Sequence, residues 1–435
     1  MFKKLTSEFD HFKSQTHNFR ILTLTNLVYA LVLPVIDIFV AAYIMRNSND
    51  TSKVVIYQLA IYTGIPLTFL LNGFLLKHFN IKTLYSIGMM LSGVSMVIMM
   101  SLKTLDLTGI AVAGITMGLS FGLYWSNRDY LAISITNDEN RNYYYGLETF
   151  IYTIIAIAVP ATIGWFIQSK TGEADKHTAY LTITGVVFVI TFLASVVCFM
   201  GRFENPVQKQ YIFFKFHSLW YKLLSLALFK GLAQGFLVTA PAMLIFKILG
   251  EEGALGNAQS IGAVLAAIII YFIGRFSKPS DRIKTFSVGL ILFAVGACLN
   301  GFLFNQTGVI VFLLLLLMAR PLMDLAYFPI QLRVIDIVSR IEKRGEFTYI
   351  LNHEAGLYAG RLLGAGTFLV LYYVVSEDFA LRYAIGIIAL LQLCSIYLSK
   401  KIIAEGNKIA PEHIEKQEHI DIKVIEEAAA KLVKS

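Results

Sequence analysis

The sequence predicts an all-α membrane protein with twelve transmembrane helices in two six-helix halves. Of its 435 residues, 56% are hydrophobic and only 15% are charged, whereas a soluble domain carries roughly a quarter charged residues. Apolar stretches long enough to cross a bilayer recur along the chain. The longest internal polar stretch divides them six and six. These observations exclude an ordinary water-soluble enzyme.

The N-terminal half is predicted to occupy residues 21–200. Its spans cover residues 21–45, 54–76, 84–102, 108–132, 147–168 and 179–200. Before them, Phe2, Leu5, Phe9 and Phe12 recur at helical spacing among lysines. This pattern predicts an interfacial amphipathic helix within residues 1–20 and does not match a signal peptide.

The C-terminal half, residues 219–400, follows a predicted cytoplasmic linker at 201–218. Its spans cover residues 219–246, 257–274, 285–304, 308–330, 347–373 and 382–399. The tail, residues 401–435, then shows Ile422, Ile425, Ala429 and Leu432 at helical spacing among charged residues. This pattern favours a cytoplasmic amphipathic helix on the membrane surface or against a partner, and a solvated, frayed tail is the alternative.

The basic residues predict the orientation in the membrane. Most of the 37 Lys and Arg residues lie in the two tails and in the loops on the same side as the N-terminus. Cytoplasmic loops are enriched in basic residues, so both termini are expected to be cytoplasmic in a multi-pass protein of the bacterial inner membrane. The same bias explains the net charge of +8, and no nucleic-acid partner is predicted.

Two short sequence similarities indicate that the halves are repeats. Residues 81–83, Ile-Lys-Thr after helix 2, recur as residues 283–285 after helix 8. The tyrosines and glutamate of helix 5 recur in helix 11 at an offset of 206, as Tyr143, Glu148 and Tyr152 against Tyr349, Glu354 and Tyr358. Both offsets agree with a six-plus-six division of the spans, which favours two parallel repeats related by an axis along the membrane normal.

The chain resembles the major facilitator superfamily of transporters over essentially its whole length. Between helices 2 and 3 that family carries Gly-x-Leu-x-Asp-x-x-Gly-Arg-Lys, and Gly73, Leu75 and Lys82 fit this motif. Lys77 stands at the acidic position and Asn80 at the second glycine. The resemblance implies that helices 1, 4, 7 and 10 line a central cavity, that 2, 5, 8 and 11 flank the interface between halves, and that 3, 6, 9 and 12 face lipid. A monomer is expected.

Ionisable side chains inside the predicted spans are the candidate functional residues. Each costs at least about 2.5 kcal/mol at the membrane centre, so it marks a pathway by default. All lie in helices that the resemblance assigns to the cavity or the interface: Asp37, Arg128, Asp129, Glu148, Lys230, Arg320, Asp324, Glu354 and Arg361.

Lys230 and Arg320 lie about halfway along helices 7 and 10, and we expect both to bind substrate because two midplane cations have too few acidic partners. The other candidate substrate ligands are Trp125, Arg128, Gln234, Tyr358 and Arg361. The candidate proton-coupling residues are Asp37, Glu148, Asp324 and Glu354. The alternative is structural pairing of Arg320 with Asp324 and of Arg128 with Glu148, and a solvated role for Asp129.

The function that these features favour is secondary active transport of a polar organic solute, such as a sugar or a carboxylate, coupled to protons or alternatively to sodium. No Walker A, HExxH or CxxC sequence occurs, so no cofactor or metal site is predicted. One alternative is an exporter of amphiphilic drugs or lipid-like compounds, which usually has fewer fixed charges. The other is a polytopic enzyme acting on a lipid-linked substrate, which the short loops disfavour.

Overall fold

A computed structural model describes residues 10–102, 104–136, 140–170, 172–205, 213–249, 252–276 and 281–409. Twelve membrane-scale helices follow one another in this part of the chain. Eleven are long and apolar enough to cross a bilayer, and the eighth has a shorter apolar stretch, Gly256–Ile269. The predicted all-α membrane fold is confirmed.

The helices of the first half are α1 (His17–Ser48), α2 (Thr51–Leu75), α3 (Ile81–Ser101), α4 (Leu107–Ile135), α5 (Arg141–Gln168) and α6 (Glu173–Phe199). Those of the second half are α7 (Ser218–Ile248), α8 (Glu252–Phe276), α9 (Arg282–Leu303), α10 (Gln306–Glu342), α11 (Glu346–Val374) and α12 (Glu377–Ile409). The fourth helix of each half begins at an equivalent cap, because Asp106 and Asn305 accept a hydrogen bond from the backbone N–H of Gly109 and Gly308.

Some predicted segments lie partly or wholly outside the described residues. Residues 10–14 are helical, but Phe2, Leu5 and Phe9 of the predicted interfacial helix lie outside. The described part of the linker is 201–205 and 213–217. In the tail, residues 401–409 continue α12, and the predicted amphipathic helix lies outside the described residues.

Glycine contacts hold two helix pairs together within the halves. A Cβ atom added to Gly118 of α4 would lie 2.2 Å from the carbonyl oxygen of Ile61 in α2. A Cβ atom on Gly360 of α11 would lie 2.0 Å from the carbonyl oxygen of Leu228 in α7. Such close backbone approach is typical of membrane helix packing. Each contact lies inside one half, so it fixes that half internally.

The two halves are joined toward one side of the molecule. We call the side where α1 and α7 begin the basic face, and the other side the opposite face. At the opposite face, the hydroxyl of Tyr372 donates to Asp50 at 3.0 Å, and the hydroxyl of Thr51 donates to Glu377 at 3.0 Å. Glu377 also pairs with Lys247 of α7 at 3.1 Å. These contacts tie the start of α2 to the ends of α7, α11 and α12 at the opposite face.

The hydrogen bonds between the halves become fewer toward the basic face. Near the middle of the helices, the hydroxyl of Tyr62 donates to the Gln234 carbonyl oxygen at 2.9 Å, and the hydroxyls of Tyr358 and Thr63 lie 3.3 Å apart. Among the described residues, no hydrogen bond or salt bridge joins the halves nearer the basic face. The halves are therefore closed toward the opposite face.

Candidate functional site

The first helix of each half is interrupted at an equivalent proline. In α1, Pro34 is followed by a π-helical turn, Val35–Phe39. In α7, the helix stops at Leu237 and resumes at Ala240, just before Pro241. The two prolines are 207 residues apart, one more than the repeat offset. Interrupted helices at corresponding positions of two repeats are characteristic of transport sites, and π-helical turns are frequent at functional sites.

A central cavity of about 450 Å³ lies beside both interruptions. Helices α1 and α5 of the first half and α7, α8 and α10 of the second half form its walls. Its polar lining residues are Asp37, Tyr152, Gln259 and Arg320. Both halves thus contribute polar groups to one cavity.

Asp37 and Arg320 bring opposite charges to this cavity from opposite halves. Asp37 lies within the π-helical turn, is exposed to the cavity, and has no hydrogen bond or ion pair with any described residue. Arg320 donates from Nη2 to the Leu237 carbonyl oxygen at 2.7 Å and has no carboxylate within salt-bridge distance in the described chain. Pro241 has no N–H for that carbonyl, so the proline creates the acceptor that positions Arg320.

Lys230 is paired with Asp324, so of the two midplane cations only Arg320 lacks an acidic partner among the described residues. The Nζ atom of Lys230 lies 2.9 Å from Oδ1 of Asp324 and 4.0 Å from the ring centroids of Tyr327 and Phe328. The alternative pairing of Arg320 with Asp324 is not formed. The guanidinium of Arg320 turns to the freed carbonyl of α7, whereas Asp324, one turn further along α10, meets Lys230.

A second pocket, of about 220 Å³, lies inside the second half between α7, α9, α10 and α12. Lys230, Gln234 and Asp324 line it, and Val238 and Arg320 belong to both this pocket and the central cavity. Helix α12 contributes the polar side chains of Gln392 and Ser395 to its wall, so the inward face of this helix is partly polar.

Arg361 is a partnered residue at the contact between the halves. It donates from Nε to Oε1 of Gln234 at 3.1 Å, forms an ion pair with Glu354, and lies 4.9 Å above the ring centroid of Tyr62. Arg361, Glu354 and Gln234 thus stabilise the midplane junction with α2. Tyr358, the remaining candidate of α11, contacts the same helix.

Arg128 and Glu148 form an ion pair between α4 and α5. Arg128 also contacts Asp129 at 2.7 Å and lies 5.6 Å above the ring of Trp125. Glu148 is 4% exposed and accepts a second hydrogen bond from Asn26 of α1 at 3.0 Å. The structure brings these candidates together in the first half, away from the lining of the central cavity.

Sequence reasoning missed several polar residues because it considered mainly charges. Asn26 also bonds Tyr85 and Tyr144, and His353 lies 2.6 Å from the Tyr327 hydroxyl. Gln392 and Ser395 of α12 line the second pocket. Amides, hydroxyls and histidines inside apolar spans were the signal that would have found them.

Comparisons with known proteins agree with this architecture. Residues 22–365 match the sequence profile of the Major Facilitator Superfamily. The chain is 23% identical over 384 residues to YqgE, an uncharacterized protein of Bacillus subtilis strain 168, with 86% of this chain and 87% of that protein covered. It is 25% identical over 159 residues to an uncharacterized protein in the sodM 3′ region of Geobacillus stearothermophilus, with 37% of this chain and 74% of that protein covered.

Two solved structures share the fold. One is a bacterial metal transporter, at TM-score 0.60 and 16% identity. The other is the nucleoside transporter NupG, at TM-score 0.64 and 10% identity. Each alignment covers 89% of this chain and 99% of the other. Among the described residues, no cluster of three or more His, Cys, Asp and Glu side chains suits a metal ion.

A multi-pass protein whose two halves share one cavity suits a transporter rather than an enzyme. Both structural relatives are transporters, and the profile match extends from the first helix to the eleventh. The chain belongs to the Major Facilitator Superfamily.

Proposed function

We propose that the protein moves a small polar solute bearing a carboxylate across the bacterial cytoplasmic membrane by proton-coupled alternating access. The observation that carries this proposal is the central cavity, where Asp37 and Arg320 face the same space from opposite halves without a salt bridge. The basic face is the cytoplasmic side, with both chain termini, and the protein acts as a monomer.

Arg320 is suited to bind the carboxylate. Among the described residues, Arg320 has one hydrogen-bond partner, the Leu237 carbonyl oxygen, which leaves other N–H groups for a ligand. A guanidinium presents its donors in a planar fork that matches a carboxylate. Burying a cation at this depth costs free energy in the empty protein. A bound anion offsets that free-energy cost.

Asp37 is suited to carry the proton. Substrate carboxylate and ionised Asp37 together would place two negative charges beside one guanidinium, with no second unpaired cation among the described lining residues. Protonation of Asp37 removes this excess charge. Substrate and proton are therefore expected to bind together and leave together.

The charges of the cavity disfavour the alternative substrates. An amphiphilic compound would leave Arg320 and Asp37 without partners while burying them against apolar atoms, which is unfavourable. The donor set of the cavity, one carboxylate beside a guanidinium, is also a poor match for a metal ion, although one structural relative is described as a metal transporter.

Neutralising Asp37 is expected to uncouple transport. In proteoliposomes with an inward proton gradient, Asp37→Asn should lose accumulation of the carboxylate above equilibrium, because the variant cannot exchange a proton. Substrate exchange without a gradient should persist. Asp129→Asn is the matched control, since Asp129 is paired with Arg128 at 2.7 Å and should retain accumulation. Accumulation by Asp37→Asn at the wild-type level would contradict the proposed role.

Alternating access requires that the contacts joining the two halves at the opposite face break. Glu377→Ala combined with Tyr372→Phe removes the hydrogen bonds to Thr51 and Asp50 and the pair with Lys247. We expect this double variant to populate the outward-open state more often. Asp378→Ala, an exposed neighbour in the first turn of α12, is the matched control.

Opening of the cavity can be measured with Leu33→Cys, a variant in the cavity wall, in a protein whose three native cysteines are replaced. Labelling of intact cells by a membrane-impermeant maleimide should be several times faster in the double variant than in the control. Equal labelling rates would contradict the assignment of these contacts as the outer closure.

A further inference from the structure

We propose that the pocket inside the second half is a hydroxyl-binding subsite formed by Gln392 and Ser395 of α12, and that the transported solute is a polyhydroxy carboxylate of the sugar-acid class. This rests on the proposed function, because the subsite adjoins the carboxylate ligand Arg320. The pocket shares Val238 and Arg320 with the central cavity, so one solute can reach both.

Two buried polar atoms in this pocket have no hydrogen-bond partner among the residues that the structure describes. Gln392 is 4% exposed and Ser395 is 1% exposed. Within the described part of the chain, neither the Oε1 atom of Gln392 nor the Oγ atom of Ser395 has a hydrogen-bond partner, and both residues line the pocket. Buried polar atoms are nearly always hydrogen-bonded, so these two are available to a ligand.

Helix α12 is irregular at the same place. Regular helix ends at Gln392 and resumes after Leu393. No proline or glycine lies between Leu391 and Ser395, although these residues are the usual cause of an interruption. The irregularity therefore coincides with the two side chains that point into the pocket.

The other walls define the chemistry that fits. The side chain of Asp324 is 52% exposed and uses Oδ1 for Lys230, so its second oxygen can accept a hydrogen bond. Phe286 and Met323 add apolar surface. An alkyl chain would leave the amide of Gln392 unpaired. Lys230 repels a free cation, and Asp324 repels a second anion. Hydroxyl groups, which both donate and accept, match this mixture.

The test compares three probes on purified protein by calorimetry: gluconate, hexanoate and sorbitol. Gluconate and hexanoate share a six-carbon chain and a carboxylate, and sorbitol has the hydroxyls without the carboxylate. In the wild type we expect gluconate to bind at least about tenfold more tightly than hexanoate, the ratio that corresponds to about 1.4 kcal/mol. Sorbitol should bind more weakly than gluconate.

Variants of α12 locate the effect. Gln392→Met and Ser395→Ala should each weaken gluconate binding by about threefold to tenfold while changing hexanoate binding less than about twofold. The matched control is Ser399→Ala, because Ser399 is equally buried on the same helix but donates to the Ile396 carbonyl oxygen. Melting temperatures of the two pocket variants should not fall below that of this control, since no protein hydrogen bond is removed.

The outcomes separate the subsite from the proposed function. Equal binding of gluconate and hexanoate by the wild type, or equal losses for both probes in the α12 variants, would overturn the subsite alone. Failure of both carboxylates to bind, with Arg320 variants behaving as wild type, would overturn the proposed function and the subsite with it.

Discussion

Arg320→Met is expected to weaken carboxylate binding by about a hundredfold, equivalent to about 2.7 kcal/mol, without lowering the melting temperature of the empty protein. The variant removes the charged donors that hold the carboxylate, and charged hydrogen bonds contribute about 1.5 to 3 kcal/mol each. The empty protein loses only the bond to the Leu237 carbonyl oxygen, which borders the cavity. Arg320→Lys should bind with intermediate affinity, because it keeps the charge and loses the planar fork.

Lys230→Met is the matched comparison for Arg320→Met. Lys230 already has the carboxylate of Asp324 at 2.9 Å, so its loss leaves Asp324 without a counter-charge. We expect a lower melting temperature and a smaller change in affinity than for Arg320→Met. Both quantities can be measured on the same two preparations. A stability loss confined to Arg320→Met, with unchanged carboxylate affinity, would show that Arg320 is structural.

Gly360→Ala is expected to destabilise the protein severely. The added Cβ atom would lie 2.0 Å from the Leu228 carbonyl oxygen and 2.7 Å from the Leu232 nitrogen, both backbone atoms of α7. Backbone cannot yield as a flexible side chain does, so α11 and α7 must separate. Overpacking ordinarily costs about 1 to 3 kcal/mol, and we expect a value at or above that range. The measurements are the melting temperature in detergent and the fraction of the purified protein that is monodisperse.

Gly366→Ala provides the control on the same helix. Nothing lies within 4 Å of a Cβ atom at that position, and alanine is the better helix former by about 1 kcal/mol. This variant should be as stable as the wild type or more stable. Equal stability of the two variants would contradict close packing of α11 on α7.

Hydropathy and loop charge were sufficient to predict the fold, because a membrane span must bury about 20 consecutive apolar residues whatever its neighbours are. Helix ends were harder to predict where polar sequence continues a helix. The tenth span was predicted at 308–330, but α10 extends to Glu342. A hydropathy window detects the membrane boundary and not the end of backbone hydrogen bonding.

The candidate site was predictable in its components and not in its pairings. Asp37 and Arg320 stood out as charges in apolar spans. Pro241 implies a free carbonyl at Leu237, but nothing in the sequence indicates that Arg320 binds it. Spacing of four residues puts Arg320 and Asp324 on one face of a helix, yet the neighbouring helix decides which of them meets Lys230. Gln392 was overlooked because an uncharged amide hardly changes the mean hydropathy of its span.

The opposite charges of Asp37 and Arg320 also bear on how the membrane voltage acts on the carrier. Ionised Asp37 and Arg320 sum to zero in the empty cavity, and under the proposed coupling the loaded cavity, with protonated Asp37 and one bound carboxylate, sums to zero as well. Moving one elementary charge across the membrane is worth about 2.3 kcal/mol per 100 mV, but neither reorientation then moves a net charge. Transport would be electroneutral, driven by the pH difference alone and indifferent to the membrane potential.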